Sequence, residues 1–249
     1  MSDARSRFDA RAFRRVYAAP TFAPTDCPNY LTYADFSQYQ WYARLLAPVL
    51  LTTGGGPLFV GNRVDTLHGE SPCETWMVVR YKNHRRMLAM IANPYYAWVN
   101  RFRERGTAKL ELGFTEPRDP ASGLEKHRWV LGIHAAPRDS NDFFAALRGI
   151  AATAGVPVVY ESEQRLGFEF VVAPRPFDPN PLTYPITAAL GADTAEPLAA
   201  FALRAELAKL LDGATERACV QLYRRGGTRD YLRFGPRPPH SPGAVQARR

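Results

Sequence analysis

A chain of 249 residues with 46% hydrophobic side chains has material for one large or two ordinary domains, and its three scattered cysteines (Cys27, Cys73, Cys219) exclude a disulfide scaffold and a cysteine-rich zinc site while suiting a reducing cytoplasm. No run of about 18 apolar residues occurs, so no membrane span is expected. The net charge of +8 sits in the ends, with +3 over residues 1–20, +6 over 224–249 and −1 over the rest, which disfavours a nucleic acid partner on the folded part.

Residues 1–26 read as an N-terminal extension, Arg-rich but without the apolar core of a leader. A first strand is placed near Asn29–Tyr33, although pattern alone also allows Phe13–Ala18. The stripe Tyr39, Tyr42, Leu45, Leu46 and Val49 predicts a helix over 37–52, kinked at Pro48. Strands follow at 57–67 and 73–81. A second helical region starts near Arg85, breaks at Asn93-Pro94 and resumes through Trp98 to about Arg105, where Gly106 stops it. The segment 107–114 alternates as a strand.

A linker at 118–126 separates this first unit, 27–117, from a second, 127–225. There a strand at 127–135 leads to a helix at 140–153, opened by Asp139 or Ser140 as N-cap. Strands are predicted at 157–164 and 167–173 with a turn near Leu166-Gly167. A Pro-rich loop covers 174–193, then a helix 196–211 and a strand 216–223. Residues 226–249 form a basic, Pro-rich tail expected to be solvated.

An internal echo ties the halves together. Thr53-Gly54-Gly55-Gly56-Pro57-Leu58-Phe59 recurs one hundred positions later as Thr153-Ala154-Gly155-Val156-Pro157-Val158-Val159. In both, glycine ends a helix and proline prevents its continuation. Each half reads β-α-β-β-α-β, so the fold class is α+β, with two tandem ferredoxin-like units.

The first half also resembles a known family. Trp76-Met77-Val78-Val79-Arg80-Tyr81, then Met87-Leu88-Ala89-Met90 and Asn93-Pro94-Tyr95-Tyr96, are similar to a pattern of the dimeric α+β barrel proteins. These include the NIPSNAP, EthD and antibiotic-biosynthesis monooxygenase families. The resemblance covers about residues 35–117, and Lys82-Asn83-His84 departs from it where Pro-Ser-Arg is usual. It implies two sheets packed face to face into a barrel. The second sheet normally comes from another subunit; here the second unit can supply it within the chain, and a homodimer stays open. Tandem units of this kind also occur in the chlorite dismutase and coproheme decarboxylase families, which bind haem.

No GxSxG, HExxH or Walker loop is present, and Gly54-Gly55-Gly56 follows a helix and precedes a strand, the reverse of a phosphate loop. The five histidines (His68, His84, His127, His134, His240) lack metal-ligand spacing. Polar residues inside apolar strands are the better clue, since burying them unpaired is costly. Glu169, Gln221 and His134 are of this kind. In a 4-1-3-2 sheet the 127–135 strand lies between 167–173 and 216–223, with Glu169 and Gln221 flanking residues 130–131 and Gly132 leaving room for a ligand. In the first half Glu74, Trp76, Val78 and Arg80 share a strand face, with His68 nearby. Tyr39, Tyr42, Tyr95 and Trp98 are expected to cover that face from the helices, giving an aromatic small-molecule site. The plainer alternative makes the aromatics core, Arg80 a surface ion-pair residue and His134 a strand-end cap.

Three functions fit. One is a cofactor-independent monooxygenase or isomerase acting on a small hydrophobic or aromatic molecule, with His134, His68 or Glu169 as acid–base group. Another is a non-catalytic binding protein of the same fold. The third is a haem protein with His134 or His68 as ligand.

Overall fold

The elements along the chain are α1 (Ala10–Ala18), β1 (Thr25–Tyr33), α2 (Phe36–Thr52), β2 (Gly56–His68), β3 (Thr75–Tyr81), α3 (His84–Ile91), α4 (Pro94–Gly106) and β4 (Thr107–Pro117), then β5 (Trp129–Pro137), α5 (Ser140–Ala154), β6 (Val158–Gly167), β7 (Ile186–Ala192), α6 (Glu196–Ala202), α7 (Ala205–Ala214) and β8 (Thr215–Arg225). They come from a computed structural model that describes residues 10–71, 73–121, 123–167, 182–227 and 231. The helices start where short side chains can cap them. Asp35 accepts hydrogen bonds from the backbone N–H groups of Ser37 and Gln38 at 2.9 and 3.3 Å, and Asp139 does the same for Asn141 and Asp142 at 2.8 and 3.0 Å.

All strand pairs are antiparallel, and the eight close into one barrel in the order β1-β3-β2-β8-β5-β7-β6-β4. Each half keeps the order 4-1-3-2, and the halves meet where β2 pairs with β8 and β4 with β6. One chain therefore builds the whole α+β barrel.

Three apolar clusters hold it. Tyr30, Phe59, Trp76, Val78, Tyr160 and Tyr223 fill the barrel interior. The helices of the first half cover Leu31, Val79, Leu88 and Val99, and those of the second half cover Leu131, Phe143, Leu147 and Phe201. Each such fully buried side chain contributes about 1.5–3 kcal/mol relative to leaving it exposed.

The echoed motif works differently in its two copies. Gly155 has φ +67° and caps α5 in the left-handed conformation. In the first copy that role falls one residue earlier, on Gly54 with φ +70°. Gly55, the residue aligned with Gly155, answers a different need: a Cβ there would lie 2.6 Å from Cε1 of Tyr81.

Three expectations are corrected. The third strand of the second half is Ile186–Ala192, within the segment read as loop. Its run Ile-Thr-Ala-Ala-Leu-Gly-Ala lacks strand propensity; burial, almost complete along the strand, decides its state. The turn expected at Leu166-Gly167 is absent, because β6 continues through both residues; most of the predicted 167–173 strand lies outside the described residues. The helix expected over 196–211 is two, α6 and α7, broken at Leu203-Arg204. Near the N-terminus, Phe13–Ala18 belongs to α1, and the first strand is β1.

The near-neutral sum over the body also conceals a separation. Among the described residues, helices α1 to α4 carry nine arginines and one carboxylate, whereas α5 to α7 carry two cations and four carboxylates. The helical layer of the first half is cationic and that of the second is acidic.

Candidate functional site

Strand alternation decides which side chains can meet. On β3, Trp76 and Val78 point into the barrel, so Met77, Val79 and Tyr81 face the helices. Between that helix-side face and α2, α3 and α4 lies a cavity of about 280 Å³. α2 sends Tyr39 and Tyr42 into it, three residues apart; α4 sends Tyr96 and Arg103, seven apart and thus on one helix face. Met87 and Met90 of α3 and Cys27 and Asn29 of β1 complete much of the wall. Gly55 lies at the wall because Tyr81 leaves no space for a side chain.

The polar groups here are mostly donors. Burial raises the phenols of Tyr39, Tyr42 and Tyr81 above their ordinary range and pushes the Cys27 thiol up to about 12. They stay protonated at neutral pH. Arg103 is a permanent cation, only 9% exposed, and its guanidinium carbon lies 5.8 Å from the centroid of the Tyr42 ring. Among the described residues none accepts a hydrogen bond from it, and no carboxylate lies within ion-pair distance. Glu104, its neighbour in sequence, accepts a hydrogen bond from Asn100 at 2.7 Å instead. Among the described residues no histidine, Asp or Glu lines the cavity.

The predicted site residues fall in four places. Tyr39 and Tyr42 line the cavity. Tyr95 and Trp98, expected beside them, stand on the outer face of α4, 41% and 43% exposed, because residues 96, 99, 100 and 103 take the inward positions. Trp76 and Arg80 lie on the other side of the sheet. Trp76 packs in the interior 5.2 Å from the His134 ring, and Arg80 makes a bidentate ion pair with buried Asp26 at 2.7 and 2.9 Å, while Tyr160 donates to the same carboxylate at 3.1 Å. His68 is exposed at the end of β2. Glu169 lies outside the described residues.

His134 and Gln221 are joined, within the barrel. Gln221 donates to Ser71 Oγ at 2.5 Å and to Thr66 Oγ1 at 3.3 Å, and accepts from the Tyr223 hydroxyl at 2.5 Å. With that proton committed, the Tyr223 oxygen accepts from His134 Nε2 at 3.1 Å, which leaves Nδ1 to accept from Tyr30 at 3.1 Å or Thr187 at 3.2 Å. Desolvation lowers the His134 pKa to about 3. The imidazole is neutral, with both nitrogens engaged. Gly132 leaves room for no ligand there: a Cβ on it would lie 2.8 Å from the Tyr223 ring and 2.9 Å from His134 Nε2. The two histidines named as haem ligands are thus one sealed in the barrel and one exposed on β2, and neither faces the cavity.

The sequence pointed to two cavity residues and missed Tyr81, Tyr96, Arg103 and Tyr231. Tyr231, in the stretch read as tail, is 3% exposed and closes the cavity beside Tyr39, its hydroxyl donating to Asn62 at 2.9 Å. A signal for Arg103 was available: it occurs seven residues after Tyr96, on the apolar stripe of α4.

No protein-family model and no curated protein matches the chain. Solved structures do. An anthrone oxidase-like protein aligns over 84% of this chain and 95% of its own, at 13% identity and a TM-score of 0.52. A candidate monooxygenase from Lactobacillus acidophilus aligns over 82% and 94%, at 13% identity and a TM-score of 0.47. A mutant chlorite dismutase from Candidatus Nitrospira defluvii aligns over 88% and 98%, at 6% identity and a TM-score of 0.48. The first of these bears out the architecture: the chain has the dimeric α+β barrel fold.

Proposed function

We propose that the protein takes up a compact apolar or aromatic molecule in the helix-side cavity of its first half and converts it as a cofactor-independent monooxygenase or isomerase. The cavity itself carries this reading. Tyr39, Tyr42 and Tyr96 belong to the first-half core, and Tyr39 packs on Tyr42 at 5.5 Å between ring centroids. Beside them the same residues, with Met77, Met87 and Arg103, line about 280 Å³ of space.

The name of the anthrone oxidase-like neighbour suggests a probe. Oxidation of anthrone to anthraquinone turns one methylene into a carbonyl; dioxygen supplies that oxygen atom and leaves its second atom as water. Oxygen uptake and product mass would be followed with wild type and with Ala47→Phe, which fills the cavity from α2. Uptake with quinone formation in wild type, lost in A47F, supports oxygenation. Absence of binding to wild type by anthrone and by other aromatic compounds of its size sinks the cavity reading.

A second reading has its own observation. Among the described residues no carboxylate or histidine stands on the wall, so none of them offers the cavity a general base for neutral pH. That favours a carrier or sensor of the same molecule, and binding without turnover across substrates of differing acidity would select it.

A further inference from the structure

Among the described residues the cavity wall is mostly apolar, its polar groups are mostly donors, and its one charged side chain, Arg103, makes no ion pair. We propose that the molecule held there bears an anionic oxygen, a carboxylate or phenolate on an apolar body, and that Arg103 receives it. This rests on reading the cavity as a ligand site, and it narrows the ligand class.

Burying a charged side chain without a counterion costs several kcal/mol. Proteins ordinarily meet that cost with a carboxylate, as this chain does for Arg80 with Asp26 at 2.7 Å. Arg103 is more buried than Arg80 and has no such partner among the described residues. Cation–π contact with Tyr42 supplies only part of the compensation. The only carboxylate on the same helix, Glu104, is turned to Asn100. The guanidinium therefore presents its donors to the cavity rather than to the protein.

The neighbouring phenols fit the same ligand. Tyr39, Tyr42 and Tyr96 line the cavity, and none of their hydroxyls hydrogen-bonds to a described residue. Tyr39 and Tyr42 are kept protonated by burial and can donate but not repel an anion. A neutral apolar guest would leave the cation and the hydroxyls unsatisfied. One oxyanion satisfies the guanidinium and at least one hydroxyl together, while the rest of the guest lies on Met77, Met87 and Leu46.

Two probes of nearly one shape separate charge from fit: 2-naphthoate and its neutral isostere 2-naphthamide, titrated calorimetrically into the full-length protein. Wild type is expected to bind the carboxylate about tenfold or more tightly than the amide, as one charge-assisted hydrogen bond implies. Arg103→Gln should erase that preference and leave the amide affinity within about twofold. Arg103→Lys, which keeps the charge, should retain part of the preference and serves if R103Q does not fold. Equal binding of the two probes to wild type overturns the anion inference and leaves the cavity reading standing. A preference unchanged in both variants overturns the role of Arg103. Failure of both probes to bind wild type overturns the inference and the cavity reading together.

Discussion

Arg103 lies beside the ring of Tyr42, 5.8 Å from its centroid, and neither side chain finds a hydrogen-bond partner among the described residues. Single buried polar atoms without a partner occur elsewhere, Trp76 Nε1 and Thr107 Oγ1 among them, but this corner adds a permanent cation to its unpaired donors. The contrast with His134 is instructive. That residue looks more like a catalytic group in the sequence, yet its two nitrogens are spoken for by Tyr30, Thr187 and Tyr223.

The His134 network makes a pH prediction. Its pKa falls from the usual 6.5 to about 3 on folding, so between those values only the unfolded chain binds the proton. Stability is full above about pH 6.5 and is lost as the pH falls, by about 2 kcal/mol at pH 5 from this residue. Urea unfolding of wild type and His134→Gln at pH 7 and pH 5 checks it. The variant should lose less on acidification by about that amount. His84, lowered by burial in the same direction, contributes equally to both proteins and cancels in the difference.

Arg80 tests whether the interior is structural. Arg80→Leu leaves the carboxylate of Asp26 buried with only Tyr160 beside it and should cost about 3–5 kcal/mol. Adding Asp26→Asn should restore part of that stability. Probe affinity in the helix-side cavity, measured well below the unfolding midpoint, should change by less than about twofold.

Gly55→Ala pushes a methyl to 2.6 Å from Cε1 of Tyr81 and 2.8 Å from Cδ1 of Leu50, two side chains of the cavity wall. We expect a loss of about 1–3 kcal/mol in stability together with weaker ligand binding. Unchanged thermal unfolding and unchanged affinity would show that the ring is not confined.

All three cysteines are buried and their thiols are pushed up to about 12. At pH 8 the native protein should react with a small disulfide reagent far more slowly than the urea-unfolded chain, which should titrate three thiols. Fast native reaction of Cys27 would mean that the cavity admits the reagent.

The architecture was legible because helices and strands write their periods locally. The stripe from Tyr39 to Val49, the stop at Gly106 and the alternation from Thr107 to Phe114 all match observed elements. β7 was not legible, since Ala188, Ala189 and Gly191 carry no strand signal and become strand only through burial between β5 and β6. The site was half legible. Period two correctly grouped Trp76, Val78 and Arg80, but nothing local says which face of a doubly buried strand meets the helices. That choice comes from barrel closure, which turns Trp76 and Val78 to the interior. Aromatic character alone does not set the facing of Tyr95 and Trp98 either, because the inward positions of α4 belong to Tyr96, Val99, Asn100 and Arg103.

The most direct measurement is a crystal structure of the protein grown with 2-naphthoate. We expect the naphthalene ring between α2, α4 and the Met77–Tyr81 face of β3, with a carboxylate oxygen within hydrogen-bonding distance of the Arg103 guanidinium. An unoccupied or collapsed cavity at saturating ligand, or a naphthoate bound there with its carboxylate turned away from Arg103, would contradict it.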